Sequence, residues 1–312
     1  MAFAVVSLRR RLAGFLLATL ACTAGAVDVQ FVAVAPGVYA HIGDTGPRAV
    51  ANEGLNANLG LIDTPQGAIL IDSGATQRSA ADIQAAVRRV TAQPVKWVIN
   101  TGGQDHRWLG NAYFADQGAQ IIAHEAAQAD MLARGGDHLA ALAGTLKDLA
   151  AGTRAVLPTR WVSGPDTSLV LGGVRLELHH RGGGHTPGDM LVALPDQRLV
   201  FSGDLVYVDR LLGVIPVSNT RAWLAAFAAL EALAPAVIVP GHGRVTTLPV
   251  AQAQTRDYLL ALRAHMKKAV EDGVDIGQAI QSFDARRWAT LQNAAELLPG
   301  NASRTYLELE RE

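Results

Sequence analysis

Four apolar, strand-like runs in this chain each end in a short loop carrying a carboxylate or an imidazole, and that repetition narrows the folds open to it. Residues 95–99 lead into Asn100, Thr101, Gly102, Gly103, Gln104, Asp105 and His106. Residues 174–178 precede Gly182, Gly183, Gly184, His185, Thr186, Pro187, Gly188 and Asp189. Residues 199–201 lead into Ser202, Gly203 and Asp204, and residues 236–239 into Pro240, Gly241, His242 and Gly243. Such groups delivered from several strand ends, beside glycines that let the backbone bend sharply, are what a catalytic metal site requires.

The rest of the pattern says how those strands are arranged. Residues 58–63 and 68–71 read as a hairpin broken at Thr64, Pro65, Gln66 and Gly67 and ending at Asp72, Ser73 and Gly74. Apolar residues then recur at helical spacing from 76 to 90, and strands follow at 95–99 and 120–123. An Ala- and Leu-rich helix spans 126–149, with an interruption expected at Gly135 and Gly136. Strands at 168–171, 174–178, 190–194 and 199–201 precede a helix near 221–233 and a buried strand at 237–239. Beyond His242 the pattern is helical, from about 249 to 271 and from 276 to the end. Strands followed by helices, twice over, imply two packed sheets with helices outside. No linker or shift in composition divides residues 27–312, so they read as one domain with a helical C-terminal extension from about 249.

Residues 1–26 read as an export signal. Arg9, Arg10 and Arg11 form a basic region, residues 12–20 an apolar one, and Ala24, Gly25 and Ala26 an Ala-x-Ala cleavage site. Cleavage after Ala26 takes three of the 27 basic residues and leaves 24 against 28 acidic ones. It also removes Cys22, the single cysteine, so the mature chain forms no disulfide and offers no thiolate ligand. A mildly acidic chain without a Lys/Arg block has no electrostatic footprint for nucleic acid or an anionic membrane. The expected location is the bacterial periplasm or the exterior, with no membrane attachment after cleavage.

Asp105 and His106 are the strongest pair, because adjacent residues in a glycine-containing loop can both turn to one ion. The bland alternative makes Asp105 a cap for a helix beginning near Leu109. His242 lies between two glycines, which leaves little reason for an imidazole except what it binds. Asp204 closes an apolar strand, where an unpaired carboxylate is costly if buried. His185 follows three glycines. Each of these has an ordinary structural explanation alone; all four together on separate strand ends do not. His41, His124, His138 and His265 lie within strand or helix patterns and read as structural, and His179 and His180 end a strand, with His180 near enough to His185 to line a cleft.

In these residues the chain resembles the metallo-β-lactamase superfamily. The likeness covers about residues 38–245 in the right order: Ile71-Asp72-Ser73-Gly74, Asp105-His106, Gly184-His185-Thr186-Pro187-Gly188-Asp189, Ser202-Gly203-Asp204 and Gly241-His242. The resemblance implies a four-layer αββα sandwich with a metal cleft at the sheet edges. It also implies a departure. The family's first motif is normally His-x-His-x-Asp-His, and here Thr101 and Gly103 stand where the two leading histidines belong. In two-zinc members those histidines, with the counterpart of His185, hold the first metal. Asp105, His106 and His242 hold the second, and Asp204 bridges. Threonine is a poor zinc ligand beside imidazole and glycine is none, so one zinc is expected, on Asp105, His106, Asp204 and His242.

The run from Asn100 to Asn111, the export signal and residues 304–308 resemble an exported subgroup, the zinc metallohydrolases of quinoprotein relay systems. That implies a periplasmic quinoprotein dehydrogenase as partner. The leading expectation is a single-zinc hydrolase of a small-molecule substrate, with Asp105 and His185 catalytic, His185 either as general base or steadying the developing oxyanion, and Asp72 bracing the metal loop. Arg107, Trp108, His180, Tyr207 and Arg210 are the substrate-lining candidates, on position alone. The rival is a metal-binding accessory protein that has lost catalysis along with two ligands. The same sandwich hosts many chemistries, so the resemblance names no substrate.

Overall fold

The computed structural model describes Met1 and residues 27–312; the expected export signal otherwise lies outside the described residues. Seven strands form one sheet in chain order: β1 (Val32–Ala35), β2 (Val38–His41), β3 (Leu59–Ile62), β4 (Ala68–Ile71), β5 (Val95–Ile99), β6 (Gln120–His124) and β7 (Arg160–Val162). Pairing is antiparallel from β1 to β4 and parallel from β4 to β7. The second sheet is built from β8 (Asp166–Leu171), β9 (Val174–His180), β10 (Met190–Leu194), β11 (Leu199–Tyr207) and β12 (Val237–His242). Its order is β12-β11-β10-β9-β8, and only β11 and β12 run parallel. The helices are α1 (Gln77–Val90), α2 (Asp105–Trp108), α3 (Asn111–Ala115), α4 (Gln128–Leu146), α5 (Thr220–Leu233), α6 (Leu248–Ala251), α7 (Asp257–Glu271), α8 (Ile276–Ser282) and α9 (Ala294–Leu309).

Strand alternation distributes the apolar side chains among the layers. In β4, Ile69 and Ile71 face the second sheet, where they meet a core that includes Leu176, Leu178, Val192 and Phe201. Ala68 and Leu70 face outward onto Ile83 and Val87 of α1. In β10, Val192 and Leu194 point inward, while Leu191 and Ala193 join Trp223 and Phe227 of α5 and Tyr258 of α7. Strands buried on both faces read as unbroken apolar runs, and the four-layer αββα sandwich follows. Thr76 caps α1 by accepting the backbone N–H of Ser79, a contact typically worth about 1 kcal/mol. Among the described residues no helix is long and apolar enough to cross a membrane.

Three features differ from the sequence pattern. The α4 helix runs through Gly135 and Gly136 without interruption. Gly135 faces Trp108, whose Cη2 would lie 3.4 Å from an added Cβ, so close helix packing accounts for one glycine. Strand β11 continues to Tyr207, which puts Asp204 inside a strand and not in a loop after one. Register shifts on both sides of Gly203, whose φ is +50°, re-aim that stretch toward the cleft. The helical C-terminal part breaks between α8 and α9 and carries a π-helical turn at Gln252–Arg256. Thr255 in that turn accepts the Tyr207 N–H at 3.0 Å and donates to its carbonyl at 2.6 Å, which ties the turn to the end of β11.

Candidate metal centre

The strand ends converge on one buried group. His106 Nε2 lies 3.0 Å from Asp204 Oδ2, and His242 Nε2 lies 3.1 Å from Asp204 Oδ1. These three residues form a set whose donor atoms all lie within 4.8 Å of one another. His106 comes from α2, which follows β5; Asp204 comes from the bulged end of β11; His242 ends β12.

The donor chemistry fits a cation. His242 Nδ1 is 2.6 Å from the Asn56 carbonyl, an acceptor only, so the proton sits on Nδ1 and Nε2 presents a lone pair. Burial pushes the His242 pKa well below its ordinary value, so the ring is neutral. Against burial, the Arg107 guanidinium holds the Asp204 carboxyl well below the usual carboxylate range. A lone pair facing a carboxylate oxygen at 3.1 Å is unfavourable by itself, and a cation between them turns it into coordination. Two imidazoles and one carboxylate suit zinc with one position left open, and also iron.

Asp105, expected as a fourth ligand, is not in this set. Both its oxygens are taken by Arg48, at 2.6 Å each, and its Oδ1 lies 3.3 Å from His106 Nδ1. Burial raises the Asp105 pKa, but the Arg48 guanidinium outweighs it and holds the carboxyl well below its ordinary value. The helix-cap alternative fares no better, because Asp105 is itself the first residue of α2 and its carboxylate accepts the adjacent His106 N–H. Its place is behind His106, where carboxylates commonly orient a metal-binding imidazole.

Arg107 and Trp108, expected to line the substrate, are sealed in the interior at 1% and 0% exposure. Arg107 is the hub of the metal loops: it donates to Asp204 at 2.6 and 3.2 Å, to Asp72 Oδ2 at 3.0 Å, and to the carbonyls of Asn58 and Gly241 at 3.0 Å each. Burial alone would lower its pKa; Asp204 and Asp72 raise it. Trp108 donates to the Gly103 carbonyl and packs against Met131 and Leu142. Asp72 accepts the Thr101 N–H at 2.7 Å and its hydroxyl at 2.8 Å as well as Arg107.

His185 stands apart from the metal group. Its Nδ1 donates to Gly213 O at 2.8 Å, and Ser218 Oγ donates to its carbonyl at 2.9 Å. Burial pushes its pKa down to about 4, so the ring is neutral and Nε2 carries no proton. The C-terminal helices position this support: Asn301 of α9 accepts the Val214 N–H at 2.7 Å and donates to Leu212 O at 2.8 Å. The 213–219 loop also walls a cavity of about 620 Å³ against α9. Tyr207 stacks on His242 with ring centroids 4.7 Å apart and is buried. Arg210 is half-buried and has no acidic partner among the described residues; its Nη1 is 3.4 Å from His242 Nδ1 and 3.5 Å from Gly46 O. His180 stacks on His124 and donates to Asp189 O at 2.9 Å. Sequence reasoning missed Arg48, Asn58 and Arg134, which reach the site from segments with no motif.

Comparison with known proteins bears on the family and the fold. A sequence profile described as the Metallo-beta-lactamase superfamily matches residues 52–242. The alpha subunit of 2,4-dinitroanisole O-demethylase from Nocardioides sp. (strain JS1661) is 26% identical over 184 residues, 58% of this chain and 51% of that subunit. The chain thus spans about half the length of this relative. A metallo-beta-lactamase from Pontibacter korlensis superposes with a TM-score of 0.59 at 23% identity, covering 74% of this chain and 99% of that one. A stereoselective inverting sec-alkylsulfatase from Pseudomonas sp. superposes with a TM-score of 0.69 at 18% identity, covering 89% and 50%.

Proposed function

The chain belongs to the metallo-beta-lactamase superfamily, and on that premise we propose that it is a single-zinc hydrolase of a small, anionic molecule. The observation that carries the reading is the compact His106, Asp204 and His242 group, with Asp105 held away by Arg48. Four protein ligands would have closed a tetrahedral ion; three leave one position for the reaction. Zinc held there supplies a Lewis acid and a water acidified toward a pKa of about 7.

The remaining steps belong to the protein. Arg107 fixes the Asp204 carboxylate, and the Asn56 carbonyl fixes the His242 tautomer, so the donor atoms are set before any ligand arrives. His185 is neutral, with Nδ1–H committed to Gly213, so its unprotonated Nε2 is the group that would accept a proton from a water attacking the substrate and pass it to the leaving group. Arg210, a guanidinium beside His242 with no counter-charge among the described residues, favours a substrate that carries negative charge. The N-terminal basic and apolar segment supports export to the periplasm, with a quinoprotein dehydrogenase as the proposed partner.

The test is a hydrolase screen on the purified chain, zinc-loaded and chelator-treated, over esters, thioesters, lactones, lactams and phosphodiesters. The names of the relatives add 2,4-dinitroanisole and secondary alkyl sulfates. A turnover abolished by chelation and restored by zinc is expected. Zinc-loaded protein inert on the whole panel would favour the accessory reading.

A further inference from the structure

The first-metal position of the superfamily does not fit a metal here, and protein atoms fill it. Thr101 spends its N–H and hydroxyl on Asp72. Gly103 has no side chain, and its backbone is outside the left-handed region, so the fold does not need glycine there for conformation. What glycine permits is a close approach: an added Cβ would lie 2.7 Å from Asp130 Oδ2. Asp130 belongs to α4 and is pinned by Arg134 one turn later, at 2.7 and 2.6 Å. Arg134 Nη1 also donates to Gln104 Oε1 at 3.3 Å, within the metal loop itself. The next turn of the same face carries His138, 7% exposed and with both ring nitrogens lacking a hydrogen-bond partner. On this face Asp130 and Arg134 satisfy each other, and His138 is the costly member, because its buried ring nitrogens have no partner.

We propose that the Asp130–Arg134 pair has replaced the first metal, and that Arg134 receives an anionic oxygen group of the substrate beside His185. The guanidinium spends Nε–H and one Nη2–H on Asp130 and one Nη1–H on Gln104. One N–H on each Nη remains, the fork that pairs with a carboxylate, sulfate or phosphate. Its side chain keeps 21% exposure, against 6% for Asp130. Gly103 N–H donates to Thr186 Oγ1 at 3.0 Å, so the metal loop that Arg134 meets at Gln104 adjoins the turn that carries His185. The substrate role rests on the hydrolase reading; the replacement of the metal does not.

Inorganic sulfate is the probe, titrated calorimetrically into the zinc-loaded purified chain, with zinc content measured in parallel. Wild type is expected to bind sulfate, Arg134→Gln to bind it at least about 10-fold more weakly, and Arg134→Lys to fall between. Arg154→Gln, which breaks an exposed pair with Asp116, is expected to match wild type. Zinc is expected to stay near one equivalent throughout. Equal sulfate affinity in wild type and Arg134→Gln, absent binding in wild type, or loss of zinc in Arg134→Gln would each overturn the proposal. A chain that binds sulfate through Arg134 but takes up no zinc would sink the hydrolase reading and leave this one standing.

Discussion

The two halves of the cleft carry the same expected task and have been built differently. On one side His106, Asp204 and His242 keep metal-donor atoms within 4.8 Å of one another, locked by Arg107 and Asn56. On the other, Thr101 is bonded to Asp72, Gly103 makes room for Asp130, and His185 leans on Gly213. In both halves a guanidinium bonds to a carboxylate: Arg107 to Asp204, and Arg134 to Asp130. The difference is burial. Arg107 is sealed beneath the donors and can only hold them, whereas Arg134 is partly exposed. On the proposed reading, the arginine pair takes up the space of a lost metal site and the loop stands without it.

The largest effect in that comparison is expected from Arg107→Met. It leaves Asp72 and Asp204 buried without their cation, and breaking a buried pair of this kind typically costs about 3–5 kcal/mol. Urea unfolding of the metal-free protein should show the loss. An unchanged midpoint would mean that the hub is incidental. Next comes His242→Ala, which removes one of three donors and should empty the site after dialysis, with little loss of fold. His185→Asn, on the other side, should keep its zinc while losing on the order of 10²- to 10⁴-fold in turnover of any substrate found. Equal turnover would reduce His185 to a relic.

Smaller effects sharpen the contrast. Installing histidines at Thr101 and Gly103 together should leave zinc at one equivalent, because the Asp130 carboxylate meets the new Cβ at position 103. A second tightly held zinc would show that the slot is open. Asp189 gives a pH signature of the same half. Burial raises its pKa to about 8 from 3.8, so the folded state holds a proton that the unfolded state releases. The stability it contributes is complete below about pH 4 and is lost as pH rises through about 8. Asp189→Asn, which can keep the Thr186 contacts, should flatten that slope in thermal melts.

The strands and the converging His106, Asp204 and His242 were legible because each depends on local chemistry: apolar alternation, and a glycine beside a ligand. Asp105 was not, because its direction is set by Arg48, 57 residues away in a segment without periodicity. Arg107 and Trp108 read as exposed neighbours of the ligands, yet the single turn of α2 sends both inward, where the Asp72 and Asp204 carboxylates and the Gly103 carbonyl satisfy their polar atoms. Asp204 read as a residue after a strand because Ser-Gly-Asp resembles a turn; the bulge at Gly203 kept the strand going. His138 read as structural from its place in a helix, and only the packed structure shows its nitrogens unpartnered.

The most direct test of the account is zinc X-ray absorption on the purified chain, with the metal-to-protein ratio measured on the same sample. The account predicts one zinc per chain, bound by two imidazoles and one carboxylate, with a non-protein oxygen completing the shell. Two zincs per chain, or a shell with a second carboxylate from Asp105 that is lost in Asp105→Asn, would contradict it.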